Sequence, residues 1–208
     1  FGDRGKTRIN FAGVDTARLP AVIAHKTLGP MLFFDPTHPL IALGYLPGAL
    51  QANYGMLVTP AGGELLALPQ TPSALNGVER TAKLTLDENG TLSGDVRETW
   101  SGDAAADQRH WLSTAQQDVD QIKPIEAMLT HSLSTFQILN AGVGNLRVME
   151  QPLVWKYTVE IPRYPRTAGD LLIIRPRVFG SMSSGLLETK DAFYLRMSAL
   201  DEENFRTD

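Results

Sequence analysis

The sequence predicts an α+β fold, mostly an antiparallel β-sheet with two helices packed on one face. Segments with strand-like alternation stand before and after a run with helical spacing, so strands and helices are separated along the chain. The run Asp87-Glu88-Asn89-Gly90 lies between two alternating segments, which is typical of an antiparallel hairpin. With 43% hydrophobic residues over 208 positions, the chain is large enough to bury a core.

The first part of the chain predicts short strands and loops. Strand-like stretches occur at 7–14 and 21–25, and the second of these is expected to form a hairpin with 31–35 through a turn at 27–30. The hairpin should end at Pro36, because proline cannot donate to a strand ladder.

A second strand pair leads to the predicted domain boundary. Strands at 55–59 and 64–68 flank a Gly-Gly turn, and residues 69–77 are rich in Pro, Ser, Asn and Gly. We therefore divide the chain into two parts, 1–70 and 71–208.

The remaining elements follow in the order strands, helices, strands. A hairpin is predicted over 79–99, and two helices over 103–118 and 122–133 are broken near 119–124. Strand character then returns in four segments, at 136–148, 153–161, 171–175 and 192–197.

Composition excludes several function classes. The net charge is -4 and no run of Lys or Arg is longer than two, so we expect no nucleic-acid or anionic-membrane partner. The longest apolar runs are far shorter than the roughly 20 residues of a membrane-spanning helix, so no membrane span is expected. The chain contains no cysteine, which excludes a disulfide, a thiolate metal site and a thiol nucleophile within it. The first residue is Phe1 and no signal-like segment follows, so we expect a portion of a larger protein.

Asp35 is the most informative candidate site residue. It ends an apolar strand and precedes a proline-fixed loop, a position that suits a carboxylate that orients an imidazole. The alternative is that Asp35 caps the Pro-Thr turn with its own side chain, a common use of aspartate. The residue pattern alone favours the second interpretation.

The four histidines do not form a metal-ligand pattern. His110 and His131 lie on predicted helices without a partner at ligand spacing, so we expect no metal site and no cofactor. The turn at 27–30 would place His25 opposite Leu32, while His38 follows Asp35 closely enough to touch it.

Three other features have a structural and a functional interpretation. Arg175 and Arg177 could bind an anion, but a solvated pair bonded to nearby carboxylates is favoured. Gly142 and Gly144 lack the context of a phosphate loop and predict a bend or bulge. Widely spaced aromatics could stack on a sugar but are more typical of a core, namely Trp100, Trp111, Trp155, Tyr157 and Tyr164.

The first fifty residues contain strings that together resemble the end of the catalytic core of bacterial transglutaminase-like proteins. These strings are residues 19–23, Gly29, Leu32-Phe33-Phe34-Asp35-Pro36-Thr37, residues 43–47 and Leu50-Gln51. Residues from Glu79 to about Asp208 are similar to the β-rich C-terminal domain of unknown function in the same family. The resemblance covers roughly the whole chain, but only the first fifty residues hold a specific motif.

The resemblance implies a role for one residue of this chain. In that family the Asp of the Asp-Pro-Thr motif positions the histidine of a papain-like Cys-His-Asp triad, so Asp35 would be the triad carboxylate. The nearest equivalent of the family histidine is Phe11, and the cysteine would lie upstream of Phe1. Asp35 would therefore act only with a Cys and a His from outside this chain.

The leading hypothesis is a non-catalytic C-terminal accessory portion of an exported bacterial transglutaminase-like protein, periplasmic or secreted by resemblance. Its partners would be the upstream core domain of the same protein and a protein or glycan. The alternative is a stand-alone protein- or glycan-binding or scaffold domain, in which Asp35 is only a turn former. A hydrolase within this chain is not expected, because no set of side chains supplies nucleophile, base and orienter together.

Overall fold

A computed structural model describes residues 22–26, 29–114 and 122–179. The fold is α+β and mostly antiparallel sheet, as predicted. The strands are β1 Val22–His25, β2 Gly29–Leu32, β3 Tyr54–Thr59, β4 Gly62–Ala67, β5 Gly77–Leu86, β6 Leu92–Ser101, β7 Gln137–Gly144, β8 Leu153–Ile161, β9 Arg166–Ala168 and β10 Leu171–Ile173. The helices are α1 Gly102–Ser113 and α2 Lys123–Ser132. The expected strands at 7–14 and 192–197, and Phe11, lie outside the described residues.

The main sheet has four strands in the order β5-β6-β8-β7, all antiparallel. Its first hairpin is the one predicted over 79–99. The Oδ1 atom of Asp87 closes the turn by accepting hydrogen bonds from the backbone N–H groups of Asn89, at 2.9 Å, and Thr91, at 2.7 Å. Gly90 has a φ of 80°, a conformation that glycine adopts without a steric cost.

The core lies between this sheet and the two helices. Alternate residues of β8, from Leu153 through Trp155 and Tyr157 to Ile161, are buried, which defines the sheet face that the helices cover. Leu112 of α1 and Leu129 of α2 belong to the same cluster. Burying a large apolar side chain contributes about 1.5–3 kcal/mol, so this layer is the main source of stability.

Gly94 allows β5 and β6 to approach closely. Its φ is 154°, and a Cβ atom at this position would overlap the carbonyl oxygen of Lys83 on the neighbouring strand. An L-residue would have to push the two strands apart, so the position is specific for glycine.

The N-terminal hairpin departs from the prediction in register. β2 begins at Gly29 instead of Met31, so the expected turn at 27–30 is partly strand. His25 consequently pairs with Gly29, and the residue opposite Leu32 is Val22. The expected placement of His25 opposite Leu32 was therefore wrong.

The second hairpin agrees with the prediction to within two residues. β3 and β4 form an isolated antiparallel pair from Tyr54 opposite Ala67 to Thr59 opposite Gly62. A third pair joins β9 to β10, and β9 had no strand signal in the sequence.

Two further expectations need correction. The bulge in β7 lies between Ile138 and Asn140, while Gly142 and Gly144 pair regularly with β8. Trp155 and Tyr157 are core aromatics as expected, but Trp111 is 42% exposed on α1. No helix in the described ranges is long and apolar enough to cross a membrane.

Candidate functional site

Asp35 lies in the loop that follows β2, and its side chain is half-buried. One carboxylate oxygen, Oδ1, accepts hydrogen bonds from the backbone N–H of Thr37 at 2.8 Å and from the Thr37 hydroxyl at 2.7 Å. The Asp35 carbonyl also accepts from the backbone N–H of His38 at 3.2 Å. The Asp-Pro-Thr sequence therefore forms a turn that holds the Asp35 side chain in one orientation.

The geometry bears on both interpretations of Asp35. Oδ1 takes part in the turn, as the capping interpretation expects. A triad carboxylate also needs a fixed orientation, and the turn supplies it. The proposed catalytic role, with a Cys and a His from outside the chain, stays a prediction.

The histidines are dispersed in the fold. His38 is exposed on the Asp35 loop, and His110 and His131 are exposed near the C-terminal ends of α1 and α2. In the part of the chain that the structure describes, no group of three or more His, Asp or Glu residues could hold a metal ion.

Gln51 connects the loop region after β2 to the rest of the fold. Its side chain is 5% exposed, and its Nε2 atom donates to the carbonyl of Leu46 at 2.8 Å. Its Oε1 atom accepts from the backbone N–H of Thr71 at 2.8 Å, and Nε2 lies 3.5 Å from Oδ2 of Asp103. One side chain therefore joins the loop, the segment before β5 and the first turn of α1.

Asp103 is the acidic group at this junction. Burial raises the pKa of the Asp103 carboxyl, and the nearby charge of Asp107 raises it further. Three smaller effects lower this pKa, namely a hydrogen bond from the Gly48 backbone, the charge of His38 and a hydrogen bond with the Asn76 side chain. The backbone N–H of Asp103 donates to Oδ1 of Asn76 at 2.8 Å, which caps the start of α1. The bonds of Gln51 to Leu46 and to Asp103 place the loop after β2 beside the start of α1.

A cavity of about 130 Å³ lies at the same junction. Its walls come from the loop around Leu46 and Gln51, from the start of α1 with Asp103 and Arg109, and from the loop around Glu150. The predicted boundary between residues 70 and 71 falls beside this cavity, because Thr71 is one of the residues that line it.

Arg109 fixes the loop between β7 and β8. Its Nη2 atom donates to the carbonyl oxygens of Asn145 at 3.3 Å, Val148 at 3.0 Å and Gln151 at 2.6 Å. The side chain is 3% exposed, so these bonds form out of contact with solvent. Arg109 thereby holds one wall of the cavity in place.

A second polar cluster lies beneath the helices. Glu98 is 1% exposed and accepts from Nε of Arg80 at 2.7 Å, from the Tyr157 hydroxyl at 2.8 Å and from Nε1 of Trp100 at 2.9 Å. The Arg80 guanidinium also lies 5.6 Å from the centre of the Phe179 ring. Burial and the charge of Glu98 raise the pKa of Tyr157. Every oxygen of Glu98 has a donor, which is how a buried charge is accommodated in a core.

Comparison of this chain with models of protein families finds no match, and searches of curated proteins and of solved structures find none either.

Sequence reasoning missed the residues that build the junction and the cluster. Gln51 lies in a segment predicted as loop, Glu98 in a predicted strand and Arg109 in a predicted helix. Glu98 could have been found, because it falls in the alternation of β6 on the same face as the buried Val96. Arg175, expected to bond a carboxylate, donates instead to the carbonyl of Ser132 at 3.2 Å.

Proposed function

We propose that this chain is the C-terminal accessory portion of an exported bacterial transglutaminase-like protein and contributes the Asp35 carboxylate to its triad. The observation that supports the proposal is the Asp-Pro-Thr turn, in which Thr37 holds Oδ1 of Asp35 through two hydrogen bonds. A carboxylate fixed in this way can hold a histidine of the upstream core in the tautomer that accepts the thiol proton.

The accessory part would keep that turn in position. The side chain of Gln51 ties the loop after Asp35 to Thr71 and to the start of α1, and Arg109 holds the neighbouring loop. The four-stranded sheet and its helices would thus support the Asp35 loop. In this proposal the accessory portion shapes access to the thiol site but supplies neither nucleophile nor base.

The test uses the protein together with the core encoded upstream of Phe1. Asp35→Ala should lower the rate of acyl transfer to hydroxylamine by about 100-fold or more, because the histidine loses its orienting partner. Asp87→Ala is the matched control, since Asp87 also accepts two hydrogen bonds in a turn but lies at the far end of the β5–β6 hairpin. The control should retain the wild-type rate.

Two results would overturn the enzyme proposal. One is the absence of a Cys and a His from the upstream sequence, and the other is an Asp35→Ala rate equal to that of Asp87→Ala. Either result favours a stand-alone protein- or glycan-binding or scaffold domain, in which Asp35 serves the turn alone. The participation of Oδ1 in that turn is the observation that supports this second candidate.

A further inference from the structure

The face of the main sheet that points away from the helices is polar. Strand alternation places Glu98 and Tyr157 under the helices, so their neighbours Arg97, Lys156 and Thr158 point to the opposite side. Arg97 and Lys156 are exposed there, on the two central strands of the sheet.

The register brings two cations together at the centre of this face. Arg97 of β6 pairs directly with Lys156 of β8, and like charges in this arrangement repel each other. The outer partners in the same row are Thr81 of β5 and Gly142 of β7, which are uncharged. Within the described residues, neither Arg97 nor Lys156 forms an ion pair. No carboxylate among the described residues is ion-paired with them, so the pair can bind an anionic ligand.

The next row adds a third cation. Lys83 of β5 pairs with Asp95 of β6, and Asp95 accepts a hydrogen bond from the Thr158 hydroxyl at 2.7 Å. A depression of about 580 Å³ lies over these rows, and its lining holds three cations and one carboxylate. The lining is thus positive in a chain whose net charge is -4.

Gly142 contributes space to the depression. It pairs with Lys156, and apart from Gly142 itself and its two chain neighbours no heavy atom lies within 4 Å of the position that a Cβ atom would occupy. A ligand group can therefore approach Lys156 from the β7 side.

We propose that this face binds a glycan that carries carboxylate groups, with Arg97 and Lys156 as the central pair that holds one carboxylate. Both cations can donate charge-assisted hydrogen bonds to a carboxylate. The neighbouring side chains of Thr81, Asn140 and Thr158 supply hydroxyl and amide groups that match sugar hydroxyls.

The same lining is unsuited to a peptide. Its large apolar members, Val96 and Tyr157, are turned into the core and are 2% and 3% exposed, so they offer no pocket for an apolar side chain. Peptides that extend a sheet bind at an edge strand through backbone hydrogen bonds, whereas the cationic pair lies on the two central strands. The site includes no residue before Thr81, so this proposal is independent of the role of Asp35.

The test measures binding of the 208-residue chain to polygalacturonate by isothermal titration calorimetry. The wild type should bind, and the affinity should fall as salt rises because exposed charges are screened. The double variant Arg97→Gln, Lys156→Gln should bind at least about tenfold more weakly, since both charge-assisted contacts are lost. Removing two facing cations also removes their repulsion, so this variant should fold as well as the wild type.

Controls distinguish binding at this site from non-specific attraction of the polyanion to other exposed cations. Arg147→Gln changes an exposed cation on the loop between β7 and β8 and should leave the affinity unchanged. Neutral dextran should not bind the wild type. The proposal is overturned if polygalacturonate does not bind, or if the double variant and Arg147→Gln bind equally. It is also overturned if poly-glutamate binds more tightly than polygalacturonate, a result that would indicate an acidic protein partner.

Discussion

The Oε1 atom of Gln51 accepts a hydrogen bond from the backbone N–H of Thr71 at 2.8 Å, and both residues are buried. The two residues lie on opposite sides of the β3–β4 hairpin, so this bond closes the base of that hairpin. The Nε2 atom of Gln51 donates to Leu46 on the other side. One buried amide side chain therefore links the loop after β2 to the segment that leads into β5.

Gln51→Leu should destabilise the protein by about 1–3 kcal/mol, because the buried N–H of Thr71 and carbonyl of Leu46 lose their partners. The measurement is the free energy of unfolding from urea denaturation. Gln137→Leu is the matched control, since Gln137 is exposed on the edge strand β7. If both substitutions lower the free energy of unfolding equally, the buried hydrogen bonds of Gln51 do not stabilise the junction.

Replacing the buried carboxylate of Glu98 should strongly lower the stability of the protein. Glu98→Ala leaves the Arg80 guanidinium, the Tyr157 hydroxyl and the Trp100 indole N–H without their acceptor. Breaking a buried pair from one side costs about 3–5 kcal/mol, so we expect a loss of that order in unfolding experiments. Tyr157→Phe removes one donor and should cost only about 1 kcal/mol. If Glu98→Ala lowers the free energy of unfolding by less than Tyr157→Phe does, Glu98 is not the centre of the cluster.

Asp103 predicts a specific pH dependence. Its pKa is raised in the fold above the ordinary value of an aspartate, mainly by burial and then by the charge of Asp107. The folded state then holds the proton more tightly than the unfolded state, so this group favours folding at low pH and loses that contribution as pH rises through the folded pKa. Asp103→Asn removes the titration.

The stability of Asp103→Asn relative to the wild type should therefore increase as pH rises from 3 towards 7. The measurement is the urea midpoint of both proteins across this range. A difference that stays constant with pH would show that Asp103 does not titrate with a raised pKa.

The sequence predicted the secondary structure well where local signals and packing agree. The β5–β6 hairpin was found because its turn chemistry at Asp87 and Gly90 is local, and α2 because Ile125 and Leu129 repeat at helical spacing. The register of β1 and β2 was missed because a strand that includes Pro30 lacks a strand signal. Gln51 and Arg109 were missed because partners such as Thr71 and Gln151 lie 20 and 42 residues away along the chain, and no local pattern reports such contacts.

Strands β5 and β6 lie so close together at Gly94 that any larger residue there should destabilise the protein. Gly94→Ala places a methyl group against the carbonyl of Lys83 and forces an L-residue to adopt a φ of 154°. Both effects are unfavourable, and backbone strain alone costs about 1–3 kcal/mol. We expect a loss of at least this size in the free energy of unfolding.

Gly142→Ala provides the matched control for this prediction. Gly142 lies in the same sheet, but nothing lies within 4 Å of its Cβ position and no positive φ constrains it. Alanine there should be neutral or slightly stabilising, because it reduces the conformational entropy of the unfolded chain. If the two substitutions cost the same, the effect at Gly94 would come from the loss of glycine in a strand and not from the contact with Lys83.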